Sequence, residues 1–232
     1  MASTSGAGRL PLSVGSARPG RDRLLLGLSG GIDSAFLAWR LLEMGFRVHL
    51  WHMEYRTRQM RYPKELLAVE RIMEWLDARG ITGYEFNDHQ PLFDRGFPRG
   101  FRSADNEILF PQIGWLLRDP AMADINHVVL GYHAQSHDPR SRFFPRYQRT
   151  AHEASRRPQK WEWITPAGGL LKADYIAEML TEAPGLLEAC WWCRKPDGDE
   201  PCHECSTCKR VDDALDGLTK PGGPDGTVRH SS

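Results

Sequence analysis

Two stretches of the chain combine residue types and spacings that can do chemistry. The first is SGGIDS, Ser29 to Ser34, which follows the apolar run RLLLGL and opens an apolar-periodic segment. Adjacent glycines let the backbone turn tightly with positive φ, so that successive N–H groups converge on an anion at the positive end of a helix. Ser29 and Ser34 add hydroxyls, and Leu28, Ser29, Gly30, Gly31, Ile32, Asp33 and Ser34 together read as a phosphate cradle. It is neither a Walker A loop, which ends in Lys-Ser/Thr, nor a G-x-G-x-x-G fingerprint. A plain capped helix start would usually need only one glycine.

The second stretch is CWWCRKPDGDEPCHECSTCKR. Cys193, Cys202, Cys205 and Cys208 give Cys-x8-Cys-x2-Cys-x2-Cys, with Cys190 three residues before the first. Four thiolates at this spacing can close a tetrahedral zinc site, and with every position filled the zinc would be structural. An iron–sulfur cluster is the main rival, and unligated thiols are the third reading.

These two stretches need elements to hold them. Apolar patterning predicts strands at RLLLGL, FRVHLWHM, TGYEF, HVVLGYH and WEWITP, and helices over 32–45, 64–79, 104–118 and 171–182. The alternation argues for an α/β fold, a Rossmann-like parallel sheet with helices on both faces, carrying a C-terminal four-cysteine zinc module. Ligands of such sheets sit at the carboxyl ends of the strands, which is where SGGIDS falls. Residues 1–20 and 213–232 are rich in small and polar residues without periodicity and read as disordered tails. Residues 21–188 are expected to form the α/β domain that carries the glycine loop, and 189–212 the zinc module. At 232 residues and 41% hydrophobic, the chain can bury one sizeable core. Its 30 basic and 30 acidic residues balance, so no direct nucleic-acid binding is expected. No run approaches the ~20 apolar residues that cross a bilayer, no signal peptide is evident, and the clustered cysteines suit a reducing compartment. A cytoplasmic protein is expected.

Ser29-Gly30-Gly31-Ile32-Asp33-Ser34 resembles the SGGxDS loop of the N-type ATP pyrophosphatases, which adenylate a carbonyl oxygen and let a nucleophile displace AMP. The resemblance implies that the loop holds the departing pyrophosphate with Mg2+ offsetting charge, that Asp33 lies near that metal or phosphate region, and that Ser29 and Ser34 donate to phosphate oxygens. Together with the late cysteine cluster, it is similar over about residues 23 to 210 to the 7-cyano-7-deazaguanine synthases of queuosine biosynthesis. TPAGGLLKADYIAEM is similar to that family's Thr-Pro-Leu…Lys-x-(Glu/Asp)-Ile stretch and places Lys172 near the active site. There it could contact a phosphate, or it could be a solvated lysine at a helix start.

The implied reaction activates 7-carboxy-7-deazaguanine with ATP, adds ammonia to give an amide, and dehydrates the amide after a second activation. No glutaminase motif is evident, so ammonia would arrive free or from a partner; family analogy suggests a homodimer. The sequence departs from the family after the second strand, at Met53-Glu54-Tyr55-Arg56-Thr57-Arg58, and after the fourth, at AQSHDPRSRFFPRY. In SADNEILF only Asn106 matches. Tyr132 or Phe143 could stack on a base, Arg140 or Arg142 could grip a carboxylate, and His133 and His137 could act as acid–base groups or lie idle on the surface. Two alternatives stand beside the synthase. One is a repurposed relative, in phage DNA modification or defence, that stops at the amide or joins a deazaguanine to another amine. The other is a zinc-module protein that binds or modifies RNA.

Overall fold

The computed structural model describes residues 9–56, 61–93, 105–132, 144–158, 160–196 and 198–219. Five parallel strands, β1 (Arg23–Gly27), β2 (Arg47–Arg56), β3 (Tyr84–Phe93), β4 (Ile125–Val129) and β5 (Glu162–Ile164), form one sheet in the order β3-β2-β1-β4-β5. The helices are α1 (Ile32–Glu43), α2 (Tyr62–Ala78), α3 (Asp105–Leu116), α4 (Phe144–Ser155), α5 (Lys172–Glu182), α6 (Leu186–Ala189) and α7 (Ser206–Thr219). Strand side chains alternate between faces, and the core divides accordingly. Leu24 and Leu26 pack with Phe36 of α1, Ile72 of α2 and Ile176 of α5, whereas Leu25 packs with Phe110 and Ile113 of α3 and Ala151 of α4. The expected parallel sheet with helices on both faces is therefore present.

The winding direction reverses between β1 and β4, and α/β sheets bind ligands at the carboxyl-end crevice of such a switch point. On the second face α3 and α4 approach closely at Gly114, where an added Cβ would stand 2.4 Å from the Ala151 carbonyl oxygen.

Three expectations need correction. Residues 9–20 are not a loose tail. Ala17 is buried, Leu10, Leu12 and Val14 pack on the core, the Ser13 N–H donates to the Pro166 carbonyl at 3.0 Å, and Arg40 donates to the Leu10 carbonyl at 3.1 Å. At the other end α7 continues to Thr219, and Val211 and Ala214 sit in the main core, so order reaches past residue 212. Finally, the departing stretch AQSHDPRSRFFPRY is not loop throughout but ends in the first turn of α4; His133, His137, Asp138, Arg140, Arg142 and Phe143 lie outside the described residues. Among the described residues no helix is long and apolar enough to cross a membrane.

Candidate functional site

The SGGIDS loop leaves β1 beside the ends of β2 and β4 and enters α1. Gly30 has φ +75°, and a Cβ there would stand 2.5 Å from the Glu65 carbonyl oxygen of α2, so both conformation and space demand glycine. Gly31 caps α1 with extended backbone and no side-chain cap, which leaves first-turn N–H groups for an incoming anion. The loop is braced from within. Ser34 Oγ accepts from the Ser29 N–H at 3.1 Å and donates to the Gly31 carbonyl at 3.0 Å, while Ser29 Oγ lies 3.1 Å from Ser34 Oγ. Both hydroxyls thus hold the loop's shape. Ser34 is buried and Ser29 exposed, so of the two Ser29 is the one placed to reach a ligand. His52 of β2 donates through Nδ1 to the Leu28 carbonyl at 2.8 Å, fixing the strand end beneath the loop.

Asp33, in the first turn of α1, meets two groups from α5. Lys172 Nζ lies 3.0 Å from Oδ1 and 3.2 Å from Oδ2, and the Tyr175 hydroxyl donates to Oδ1. Lys172 is 4% exposed, which rules out a solvated lysine. Burial and the neighbouring Asp33 push the Tyr175 phenol far above its ordinary range, so it remains a proton donor. Tyr175 is a site residue that sequence reasoning missed. Its signal was its place one helical turn after Lys172, where the resembled pattern has Ile.

The cysteines gather as their spacing predicted. The sulfurs of Cys193, Cys202, Cys205 and Cys208 lie within 4.8 Å of one another, and those of Cys202 and Cys208 are 4.0 Å apart. A tetrahedron of sulfurs ~2.3 Å from zinc has edges of roughly 3.8 Å, so the four fit a tetrahedral thiolate ion site. Backbone N–H groups already serve these sulfurs. Cys202 donates to Cys193 Sγ at 3.3 Å, Cys205 to Cys202 Sγ at 3.3 Å and Cys208 to Cys205 Sγ at 3.4 Å. Burial works to raise the Cys205 thiol, but N–H groups of Arg194, Cys208 and Thr207 and the Cys208 thiol together bring it down to about 6. Cys202 is lowered by the N–H groups of Glu204 and Cys205, whereas burial raises Cys193 and Cys208. Cys190 stands apart, fully buried, with its thiol donating to the Leu186 carbonyl at 3.2 Å and its ionisation pushed up by burial.

The cysteine module touches the loop. The Trp191 N–H donates to the Gly30 carbonyl at 2.8 Å, the Trp191 indole N–H donates to the Cys193 carbonyl at 3.0 Å, and Lys64 of α2 lies over the Trp191 ring while pairing with Asp199. No local pattern signals this contact, since the two motifs are about 160 residues apart. Near the mouth of β4, Tyr132 packs edge-on to Phe144 at 5.4 Å.

No family model matches the chain. It is 24% identical to a 7-cyano-7-deazaguanine synthase of Campylobacter curvus over 199 residues, 78% of this chain and 87% of that one. It is 27% identical to a 7-cyano-7-deazaguanine synthase of Synechococcus sp. over 221 residues, 84% of this chain and 92% of that one. Among solved structures it is similar to the U34-tRNA thiolase NcsA of Methanococcus maripaludis with its 4Fe-4S cluster, at a TM-score of 0.48 and 15% identity, covering 85% of this chain and 66% of that one. A glycine loop at the switch point of a parallel sheet and a likeness running over most of the chain together support an ATP-using enzyme of the ligase type, similar in sequence to the 7-cyano-7-deazaguanine synthases.

Proposed function

We propose that the chain is an ATP-dependent carbon–nitrogen ligase that converts 7-carboxy-7-deazaguanine to its amide and then to 7-cyano-7-deazaguanine. In the first half a carboxylate oxygen attacks the α-phosphorus of ATP and pyrophosphate leaves. Ammonia then attacks the activated carbonyl carbon, loses a proton, and displaces AMP. In the second half the amide oxygen attacks a second ATP, pyrophosphate again leaves, and loss of AMP with two N–H protons leaves the nitrile.

The observation that carries this reading is the loop itself: a backbone cradle at the carboxyl end of β1, with Lys172 held beside Asp33 at its edge. Phosphoryl-group transfer of this kind depends on stabilising charge on the leaving group more than on an acid or base, and fixed N–H dipoles supply that without reorganisation. Ser29, Gly30 and Gly31 would bind the β- and γ-phosphates, Lys172 would neutralise charge on the leaving group, and Asp33 would orient Lys172 and face the magnesium. Magnesium bound with ATP supplies positive charge to the polyphosphate. Cys193, Cys202, Cys205 and Cys208 would hold a structural zinc ion, whose thiolates order the module that abuts Gly30. A cytoplasmic homodimer taking free ammonia completes the reading on family analogy.

A second reading is favoured by the sequence departures after β2 and β4, where a base would sit. The enzyme would activate the same carboxylate but accumulate the amide, or an amine conjugate, in place of the nitrile. The intact Ser29, Asp33 and Ser34 count against an RNA-binding module without activity. Mass spectrometry of products after incubation with ATP, magnesium, ammonium and 7-carboxy-7-deazaguanine tests both. The nitrile supports the first reading, amide or conjugate the second, and an unchanged carboxylate overturns both.

A further inference from the structure

We propose that Tyr175 is a positioning residue that keeps the Asp33 carboxylate in place when Lys172 is drawn toward the polyphosphate. This rests on the ATP-ligase reading above. The two donors come from one turn of α5, since residues three apart share a helix face, but they differ in kind. Lys172 is a point charge on a flexible four-carbon stem, and it reaches both carboxylate oxygens, at 3.0 and 3.2 Å. Tyr175 is 1% exposed and its ring is stacked on Phe36 of α1, with centroids 5.0 Å apart and planes at 26°. Packing fixes the ring, and the ring fixes where the hydroxyl points.

An arriving polyphosphate carries several negative charges and competes with Asp33 for the ammonium of Lys172. It has much less to gain from a neutral phenol already donating to the carboxylate. If Lys172 moves, Tyr175 remains as the donor that keeps Asp33 from turning outward, and with a side chain 35% exposed Asp33 has solvent to turn into. Burial keeps the phenol protonated, so it can hold this role across the working pH range.

The test is a double-mutant cycle read by calorimetry, with magnesium pyrophosphate, the leaving group itself, as probe. Tyr175→Phe keeps the stack on Phe36 and removes only the hydroxyl. A hydrogen bond to a charged group corresponds to roughly a tenfold change, so the variant should bind the probe about tenfold more weakly than wild type while melting close to it. Asp33→Ala should weaken binding further, and Tyr175→Phe should add nothing in that background, because Tyr175 acts through Asp33. Unchanged binding by Tyr175→Phe, or losses that simply add in the double variant, would overturn the inference. A wild-type protein that binds the probe but leaves 7-carboxy-7-deazaguanine untouched would overturn the substrate assignment alone. A wild-type protein that does not bind the probe would remove the loop's assigned role and this inference with it.

Discussion

The two ends of the sheet each bury a cation among carboxylates, and they do so differently. At the amino end Arg23 opens β1, 8% exposed, and both terminal nitrogens of its guanidinium are fully engaged: they donate to Glu85, to Asp124 and the Ala121 carbonyl at 2.9 Å each, and to His49 Nδ1 at 3.0 Å. These partners come from β2, β3 and the turn before β4, so one planar fork ties the sheet together. At the carboxyl end Lys172 pairs with Asp33, beside a turn in which Gly30 has no room for a side chain. A forked donor with its geometry filled is a lock. A lysine on a flexible stem beside an anion cradle is a cation that can change partners.

The sharpest way to break the carboxyl end is to remove the module that abuts its loop. On the proposed zinc site, Cys193→Ser should abolish metal binding, and because a structural thiolate zinc site contributes about 10 kcal/mol or more of apparent binding free energy, the C-terminal module should unfold with it. Cys190→Ser should retain the metal, since its thiol is spent on the Leu186 carbonyl. Elemental analysis and circular dichroism of the two variants decide this, and metal loss from Cys190→Ser with retention in Cys193→Ser would refute the ligand set.

The two cations should then separate. Lys172→Met should lower pyrophosphate release by about a hundredfold, the scale of one lost charge-stabilising donor, with a melting temperature near that of wild type. Arg23→Met should do the reverse. Its partners Glu85 and Asp124 are largely exposed, which screens the loss, so denaturant titration should show about 1–2 kcal/mol of destabilisation with turnover preserved in the folded fraction. Equal effects of both variants on turnover would erase the contrast between the ends.

The smallest effect is a pH dependence at the amino end. Burial and then the Arg23 charge lower the His49 pKa, so as pH falls below about 6.5 the unfolded chain takes up the proton first. The stability contributed by neutral His49 is present above that value and is lost as pH falls through the lowered folded-state value. Burial lowers His152 in the same sense. His49→Gln should flatten the fall in stability between pH 6.5 and 5, as measured by urea unfolding at several pH values, and an unchanged slope would contradict the assignment.

Much of the carboxyl end was legible in the sequence because it is written in local pattern. Leu24, Leu25 and Leu26 form a continuous apolar strand buried on both faces, and the glycine pair marks a turn whose first member, Gly30, only glycine fits, while Gly31 keeps ordinary extended backbone. The cysteine set was legible for the same reason, since ligand spacing is a local property. The helix α4 was not legible: FPRYQRTAHEAS is mostly polar, and its buried Ala151 and Ser155 matter only because Gly114 on α3 lets the helix come close. Residues 9–20 were missed because small and polar residues hid the alternation of Leu10, Leu12 and Val14. The burial of Lys172, the role of Tyr175 and the contact of Trp191 with Gly30 join residues far apart in the chain, and no window of sequence contains both partners.

In the proposed reaction the glycine loop and Asp33 handle the pyrophosphate that leaves when a deazaguanine carboxylate is activated. Its most direct test is pyrophosphate release from ATP in the presence of magnesium, ammonium and 7-carboxy-7-deazaguanine, compared between wild type and Asp33→Asn. Release should depend on the carboxylate substrate and fall by about a hundredfold in the variant, with the fold intact. Release that proceeds equally well without that substrate, or at the same rate in Asp33→Asn, would contradict it.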